Sequence, residues 1–189
     1  MALSKDEIKE LRNFKILADN DSIRYKNIIK QKLLNNNKII YLLNNKTLVD
    51  AEAEADEYFG VNILPYYLIN PTQTDVQNYI CYEVMFDETA RYNDIIKIGQ
   101  VIFYILCEQK NNIEKNTYIA RHDLLSALIL DEFNWSQCFG TTIHCVSDIP
   151  SVVDTYYNCR TLTFELETHN SIAKTKTGIT RIVNYTNNI

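Results

Sequence analysis

The sequence predicts an α+β fold, in which a mainly antiparallel sheet packs against a central amphipathic helix and an N-terminal helical segment precedes the sheet. The stretch from Tyr79 to Trp135 reads as strand, long strand and helix, and it holds nearly all of the continuous apolar sequence. Residues 160–167 alternate apolar and polar with a period of two, which is typical of a strand with one polar face. The first 57 residues instead carry capping residues and apolar positions at helical spacing.

Length and composition suit a single globular domain with a helical appendage. The chain has 189 residues, of which 46% are hydrophobic and 23% charged. We predict an N-terminal helical segment at residues 1–57 and an α+β core domain at residues 58–189. The tail from about residue 170 is predicted to be a last strand, a hairpin, or a mobile arm that orders on assembly.

The charge balance excludes some classes of protein. A net charge of −5 and a pI of about 5.2 argue against a general nucleic-acid binder. No apolar run approaches the roughly 20 residues of a membrane span, and the charged N-terminus does not read as a signal peptide. We therefore expect a soluble protein made in the cytosol. Its five cysteines, an odd number without a C-x-x-C pair, are predicted to be apolar fillers of the core.

Capping patterns place three elements in the N-terminal segment. Ser4 and Glu7 form a capping-box pattern, which predicts a first helix at residues 4–18. Asp21 or Ser22 caps a second helix, which the asparagines at 35–37 end. Residues 38–43 form a short third element, either helix or strand.

The second predicted helix carries a basic stripe, and the segment after residue 47 is acidic. The stripe consists of Arg24, Lys26, Lys30 and Lys32. The acidic residues are Asp50, Glu52, Glu54, Asp56 and Glu57. Three interpretations stay open: two solvated faces, a match within one molecule, or pairing between copies of the chain.

The core domain is predicted to begin with an extended or edge segment and two strands. Residues 58–74 are apolar but contain prolines, which confines them to an edge or an extended path. A strand at 80–86 alternates, and a strand at about 95–107 is apolar on both faces. Such a strand is expected to be central and covered on both sides.

The second half of the core domain is predicted to start with a helix at residues 118–135, capped by Asn116 or Thr117. Its buried stripe includes Leu125, Ile129 and Phe133, whereas Arg121 is expected to face water. A short strand at 141–146 is expected to precede a loop around Pro150, and residues 160–167 form the last clear strand.

A search for reactive groups finds no recognisable catalytic motif. His122, His144 and His169 lack metal-ligand spacing, and Cys138 with Cys145 only flanks a strand. Phosphate-binding glycine patterns and nucleophile elbows are absent from the sequence. We therefore expect no catalytic, cofactor-binding or metal site, and a protein that is not an enzyme.

The order and character of the elements resemble those of neck proteins of tailed bacteriophages, in particular the tail-terminator or tail-completion (head–tail joining) group. The segments that carry the resemblance are NYICYEVMF, IIKIGQVIFYILCE, IARHDLLSALILDEFNW and RTLTFELE, which cover about the second half of the chain. The N-terminal section is longer and more helical than is usual in such terminators. A head-completion or connector ring protein of the same neck therefore stays open.

The resemblance implies a ring of identical subunits, hexameric or dodecameric, that terminates the tail tube and joins it to the head connector. Its partners would be further copies of itself, the tail tube protein and the connector proteins, and no membrane or cofactor. Genome DNA would pass through the lumen without specific binding, for which a net charge of −5 is suitable. The protein would be made in the host cytoplasm and end in the virion.

Two other classes of protein remain as hypotheses. The first is a non-enzymatic protein-binding module of a mobile element, which would use a tyrosine-rich surface. The second is an enzyme such as a nuclease or cysteine hydrolase, whose turnover would depend on His144 or Cys145.

Overall fold

The computed structural model describes residues 4–13, 21–67, 77–86 and 96–169. The helices are α1 (Lys5–Asn13), α2 (Asp21–Leu34), α3 (Asn37–Leu43), α4 (Lys46–Asp50) and α5 (Arg121–Phe133). The strands are β1 (Ile63–Leu64), β2 (Tyr79–Phe86), β3 (Ile96–Glu108), β4 (Ile143–Val153) and β5 (Tyr157–His169). Short 3-10 helices lie at Ala55–Tyr58 and Gln109–Asn111. The predicted α+β class is confirmed.

The described strands form one sheet with the order β1-β2-β3-β5-β4. All neighbouring pairs are antiparallel except β1 with β2, which is parallel. β3 is central, as predicted, and it pairs with β2 and β5 along most of its length. Phe103 lies opposite Tyr82 on one side and Leu162 on the other.

One face of the sheet packs against helices α2, α3 and α5 and forms the main hydrophobic core. From β3 it takes Val101, Phe103 and Ile105, which are fully buried. The Phe103 ring lies 5.1 Å from that of Phe133 in α5 and 5.7 Å from that of Phe164 in β5, measured between centroids. The alternate residues of the strands and the apolar stripe of α5 therefore pack together in one core layer.

The opposite face of the sheet, here called the outer face, is covered less completely. Leu106 is buried there in a second hydrophobic cluster with Tyr79, Cys81 and Cys159 among its members. Towards the start of β3, Ile98 is 44% exposed. The prediction that this strand is covered on both sides is therefore right for its C-terminal end and wrong for its N-terminal end, because the core helices pack against one face only.

The N-terminal capping box is confirmed. Glu7 accepts hydrogen bonds from the Ser4 backbone and hydroxyl at 2.7 Å, and the Glu7 amide donates back to the Ser4 hydroxyl at 3.3 Å. The second predicted helix is present as α2, with Asp21 as its first helical residue and not as the cap before it, and residues 37–43 are helical. The remainder of the predicted first helix, residues 14–18, lies outside the described residues, as does the tail from residue 170.

The basic stripe of α2 finds its partners within the molecule. Lys26 contacts Glu83 of β2 at 2.7 Å and Lys32 contacts Glu132 of α5 at 2.5 Å. The Lys30 ammonium lies 4.2 Å from the centroid of the Phe59 ring. These partly exposed pairs each contribute about 0–1 kcal/mol. They connect α2 to β2 and to α5, and the acidic residues 50–57 do not supply the two carboxylates.

The start of α5 differs from the prediction. The helix begins at Arg121 behind Ala120, and not at a cap formed by Asn116 or Thr117. Those two residues instead donate to the carboxylate of Glu114, so their amides are already occupied. Arg121 is buried, contrary to the prediction, because its guanidinium donates to the carbonyls of Asn111 and Leu42.

The region around Pro150 also differs from the prediction. It is not a loop: β4 continues from Ile143 to Val153 and turns at residues 154–156 into β5. Pro150 fits because β4 is the edge strand, where an outward-facing N–H has no ladder partner to lose. A β-bulge between Cys145 and Ser147 bends the same strand.

A buried amide network joins the helical segment to the sheet. The Asn78 side chain donates to the carbonyls of Leu42 (3.4 Å) and Leu43 (3.1 Å) and accepts from the Glu108 amide (2.9 Å). Asn62 donates to the Asn78 carbonyl at 2.8 Å. One side chain thus satisfies the end of α3 and the end of β3 at once, groups that would otherwise be buried without partners.

The predicted boundary between residues 57 and 58 stays a prediction. Residues on both sides of it, such as Leu43 and Ile105, belong to the same hydrophobic core. No helix in the described part of the chain has the length and apolar character needed to cross a membrane.

Candidate functional site

The outer face of the sheet carries exposed apolar side chains on several of its strands. Met85, Ile98 and Ile149 project from β2, β3 and β4 and are 46%, 44% and 58% exposed. Tyr67 lies over Tyr104, with 4.5 Å between the ring centroids. Antiparallel sheets commonly leave one face in water, but that face then alternates to polar residues. This face combines exposed apolar residues on three of the five strands with polar residues such as Gln100 and Glu165.

A groove lies at the corner of this face, where β4 begins and β5 ends. Its volume is about 460 Å³. It is lined by Ile98, Trp135, Thr141, Thr142, His144, Glu165, Leu166, Glu167 and Thr168. We call this the Trp135 groove. Two carboxylates lie in it, and Glu165 accepts a hydrogen bond from the Gln100 side chain at 3.0 Å.

Trp135 forms one wall of the groove in an unusual backbone conformation. Its φ is +61°, which is an outlier for a bulky side chain. The Trp135 amide donates to the Ile143 carbonyl at 2.7 Å, and the Ile143 amide donates to the Ser136 carbonyl at 3.0 Å. The indole stacks on His144 with the planes 19° apart and the centroids 5.4 Å apart. The side chain is therefore held in place while 70% of it stays exposed.

At the other end of α5, residues 113–119 form a pinned loop, here called the Glu114 loop. Glu114 is 2% exposed. Its carboxylate accepts from the amides of Asn116 (3.0 Å) and Thr117 (2.7 Å) and from the Tyr41 hydroxyl (2.9 Å). These hydrogen bonds, with that from the Asn116 amide foremost, lower the pKa of Glu114 to about 2.

The Glu114 loop displays Tyr118 at its tip. This residue has a φ of +59° and is 82% exposed. Ile113 and Ile119 beside it are 56% and 46% exposed. An aromatic side chain in left-handed backbone costs free energy, so the loop must be held by its internal hydrogen bonds.

We expect the Glu114→Gln variant to loosen the Glu114 loop. Glutamine presents an NH₂ group to donors that require an acceptor, so the amides of Asn116 and Thr117 should exchange with solvent faster. Because the folded pKa is depressed from 4.5 to about 2, the wild-type carboxylate contributes stability above pH 4.5, and this contribution is lost as the pH falls from 4.5 towards 2. Amide hydrogen exchange and carboxyl titration by NMR measure both effects.

The Glu7→Gln variant is the matched control, since Glu7 also closes a capping hydrogen bond across three residues. It should change exchange at Ser4 and leave residues 116 and 117 unaffected. Unchanged exchange at those two amides in the Glu114→Gln variant would contradict the role assigned to this carboxylate.

The reactive residues considered from the sequence are not gathered at one point. His144 lies on the outer face and Cys145 faces the helices, because they are neighbours in a strand. Burial raises the pKa of the Cys145 and Cys138 thiols. His122 contacts the Asn112 side chain, and burial lowers the pKa of its imidazole.

A metal site is not formed by the residues that the structure describes: they contain no group of three or more His, Cys, Asp or Glu side chains placed to hold an ion. His169, the third histidine considered, is the last residue of β5.

The YomW family model matches residues 36–166, which is more than half of the sequence. The chain belongs to the YomW family. The family name suggests a Bacillus phage-type gene product, which is consistent with a phage origin. The YomW match begins at the residue that caps α3 and ends within β5, so it includes the Glu114 loop, α5 and Trp135. No curated protein matches the chain.

Sequence reasoning missed both ends of α5, because the helix predicted for residues 118–135 included Tyr118 and Trp135. A usable signal was present at the first of them. Asn116 and Thr117 stand two and three residues after Glu114. Their two amides and the threonine hydroxyl can donate to the Glu114 carboxylate, which favours a turn over the start of a helix.

Proposed function

We propose that this YomW-family protein is a structural component of a tailed-phage virion neck, where it forms a ring that terminates the tail tube and joins it to the head connector. The observation that carries the proposal is the exposed apolar outer face of the sheet, with Met85, Ile98 and Ile149 on three of its strands. Such a face favours association with another protein surface. The phage-type family name supports the setting.

Self-association explains this surface most simply. A ring of identical subunits buries the same two patches at every contact, so one exposed face and its complement suffice for the whole assembly. The polar residues of β5 on this face, Thr163, Glu165 and Glu167, lie between strands β3 and β4 and would contribute specificity to the contact. Tail tube and connector proteins would bind the two flat sides of the ring, and genome DNA would pass through the lumen.

The test compares two aspartate variants at positions of equal exposure. Ile149 on the outer face is 58% exposed and Val49 on α4 is 57% exposed. Ile149→Asp should convert the multimer to monomer, because a desolvated carboxylate opposes apolar burial, whereas Val49→Asp should leave the multimer intact. Sedimentation velocity over a wide concentration range measures both. A wild-type chain that stays monomeric, alone and with tail tubes, would overturn the proposal.

The position within the neck needs a separate measurement. Mass spectrometry of purified virions should detect the chain, and antibody labelling in electron micrographs should place it at the junction of head and tail. Labelling on the portal side of that junction, in place of the tail end, would favour the head-completion or connector ring, the second candidate. The N-terminal section with helices α1–α4 favours this candidate because it is longer and more helical than is usual in the tail terminators that the chain resembles.

A further inference from the structure

The two most exposed large apolar side chains in the described part of the chain are both aromatic residues in left-handed backbone. Tyr118 is 82% exposed with φ +59°, and Trp135 is 70% exposed with φ +61°. Three other non-glycine residues have positive φ, namely Asn44, Glu52 and Asp154. Asparagine and aspartate adopt this conformation readily, but tyrosine and tryptophan do not. Two strained and exposed aromatic residues therefore need an explanation beyond folding.

The two residues lie at opposite ends of the same helix. Tyr118 comes three residues before α5 and Trp135 two residues after it. α5 has 13 residues, so it separates them by about 20 Å. β3 runs between the same two ends, since Ile98 lines the Trp135 groove and the Asn112 carbonyl, just beyond the end of the strand, accepts from the Arg121 amide. The rigid centre of the fold thus carries a projection at one end and a recess at the other.

The projection and the recess complement each other. Tyr118, Ile113 and Ile119 present an apolar tip, and the groove offers Trp135 and Ile98 as apolar walls. Lys115 is exposed on the loop, and the groove carries the carboxylates of Glu165 and Glu167. The one acidic residue of the loop, Glu114, is buried and its carboxylate accepts hydrogen bonds within the loop, so Lys115 is the charged group that the loop presents at its surface.

We infer that the Glu114 loop of one copy of this chain inserts Tyr118 into the Trp135 groove of the next copy. The occupant of the groove is therefore a second copy of the same protein. Such a contact joins two different patches, which makes it heterologous: repeated head to tail, it closes into a ring when the rotation per subunit permits. The strain at both aromatic residues is then part of a pre-organised contact, in which ordering costs are met before binding. The inference rests on the proposed ring and names one part of its subunit contact, which shares Ile98 with the apolar residues of the outer face.

One variant with a matched control tests the insertion. Tyr118→Asp should weaken self-association by about thirtyfold or more, the effect expected for an aromatic anchor at the centre of an interface. The control is Tyr156→Asp, because Tyr156 is 54% exposed and lies at the same end of the sheet, where its carbonyl accepts from the Gln109 amide. Circular dichroism and thermal unfolding must show that both variants fold as the wild type does.

Charge exchange and cross-linking identify the partner surface directly. Lys115→Glu should weaken assembly, and combining it with Glu165→Lys should restore part of the loss. A double variant that combines Tyr118→Cys with Ile98→Cys should give a ladder of disulfide-linked oligomers on oxidation, because each copy then links to two neighbours. Either single variant should give dimers at most.

The outcomes separate this contact from the proposed function. A wild-type multimer that Tyr118→Asp weakens, together with the ladder, supports the insertion. A wild-type multimer that Tyr118→Asp leaves unchanged, without a ladder, overturns the insertion and leaves the ring to another surface. A chain that stays monomeric at every concentration and on tail tubes, and gives no ladder, overturns both.

Discussion

Replacing Phe103 by alanine is expected to lower the free energy of unfolding by about 3–5 kcal/mol. The Phe103 side chain is fully buried in the central strand. Its ring contacts those of Phe133 and Phe164, with 5.1 and 5.7 Å between centroids, and lies 6.2 Å from that of Tyr82. Truncation removes these contacts from one helix and two neighbouring strands at once. The cavity cannot close easily, because all three neighbours are held by the sheet register or by α5.

Ile102→Ala is the control for this prediction. Ile102 is the preceding residue of the same strand, but it is only partly buried on the outer face. Its truncation should cost about 1–2 kcal/mol, in proportion to the smaller apolar area that it buries. Urea unfolding followed by circular dichroism gives both values. Equal losses in the two variants would mean that the outer face contributes as much to the monomer core as the helix-facing side.

The faces of β2, β5 and α5 could be predicted from the sequence, but the exposed outer face of β3 could not. The alternation in residues 80–86 and 160–167 gives the faces of β2 and β5 correctly, and the stripe on α5 gives Leu125, Ile129 and Phe133 as buried. Both follow from periodicity, which is a local property of the chain. The apolar run of β3 has no such alternation, so the sequence indicated two covered faces. Whether a second layer covers the outer face depends on where the helices go, which periodicity does not encode.

The wrong predictions for Pro150 and for the start of α5 have one physical cause. In each, the usual structural role of a residue type is overridden by a contact in the folded chain. Pro150 predicts a loop because proline cannot donate a backbone hydrogen bond to a neighbouring strand. An edge strand such as β4, however, has one side on which no such hydrogen bond is needed. The sequence favours Asn116 and Thr117 as helix caps, yet the carboxylate of Glu114 accepts from the same amides, and the helix begins at Arg121, three residues later than predicted. Each outcome depends on a contact that the spacing of residues does not specify.

The candidate assembly surface was predictable only in part. The sequence indicated a polar face on residues 160–167, and Glu165 and Glu167 do lie on the outer face of β5. It did not indicate Tyr118 or Trp135, because exposure of an aromatic residue is decided by the backbone on either side of it. Positive φ at these residues is a property of the folded chain, and it is this property that singles them out.

Asn78→Ala is expected to lower the free energy of unfolding by about 3 kcal/mol, because it leaves several buried polar groups without partners. The Asn78 side chain is the acceptor for the Glu108 amide and the donor to the carbonyls of Leu42 and Leu43. Asn78 is 4% exposed, so water cannot replace these hydrogen bonds without entering the core. The loss should appear in urea unfolding as a lower midpoint with an unchanged slope.

Two further variants show whether the loss comes from the network. Asn78→Asp keeps an acceptor for the Glu108 amide but turns a carboxylate towards two carbonyls, so it should destabilise the fold at least as much at neutral pH and less in acid, where the protonated carboxyl can donate to one carbonyl. Asn35→Ala replaces an exposed asparagine at the end of α2 and should cost under about 0.5 kcal/mol. If Asn78→Ala matched Asn35→Ala, the link between α3 and the end of β3 would be incidental, and the helical segment would be held to the sheet by its apolar contacts alone.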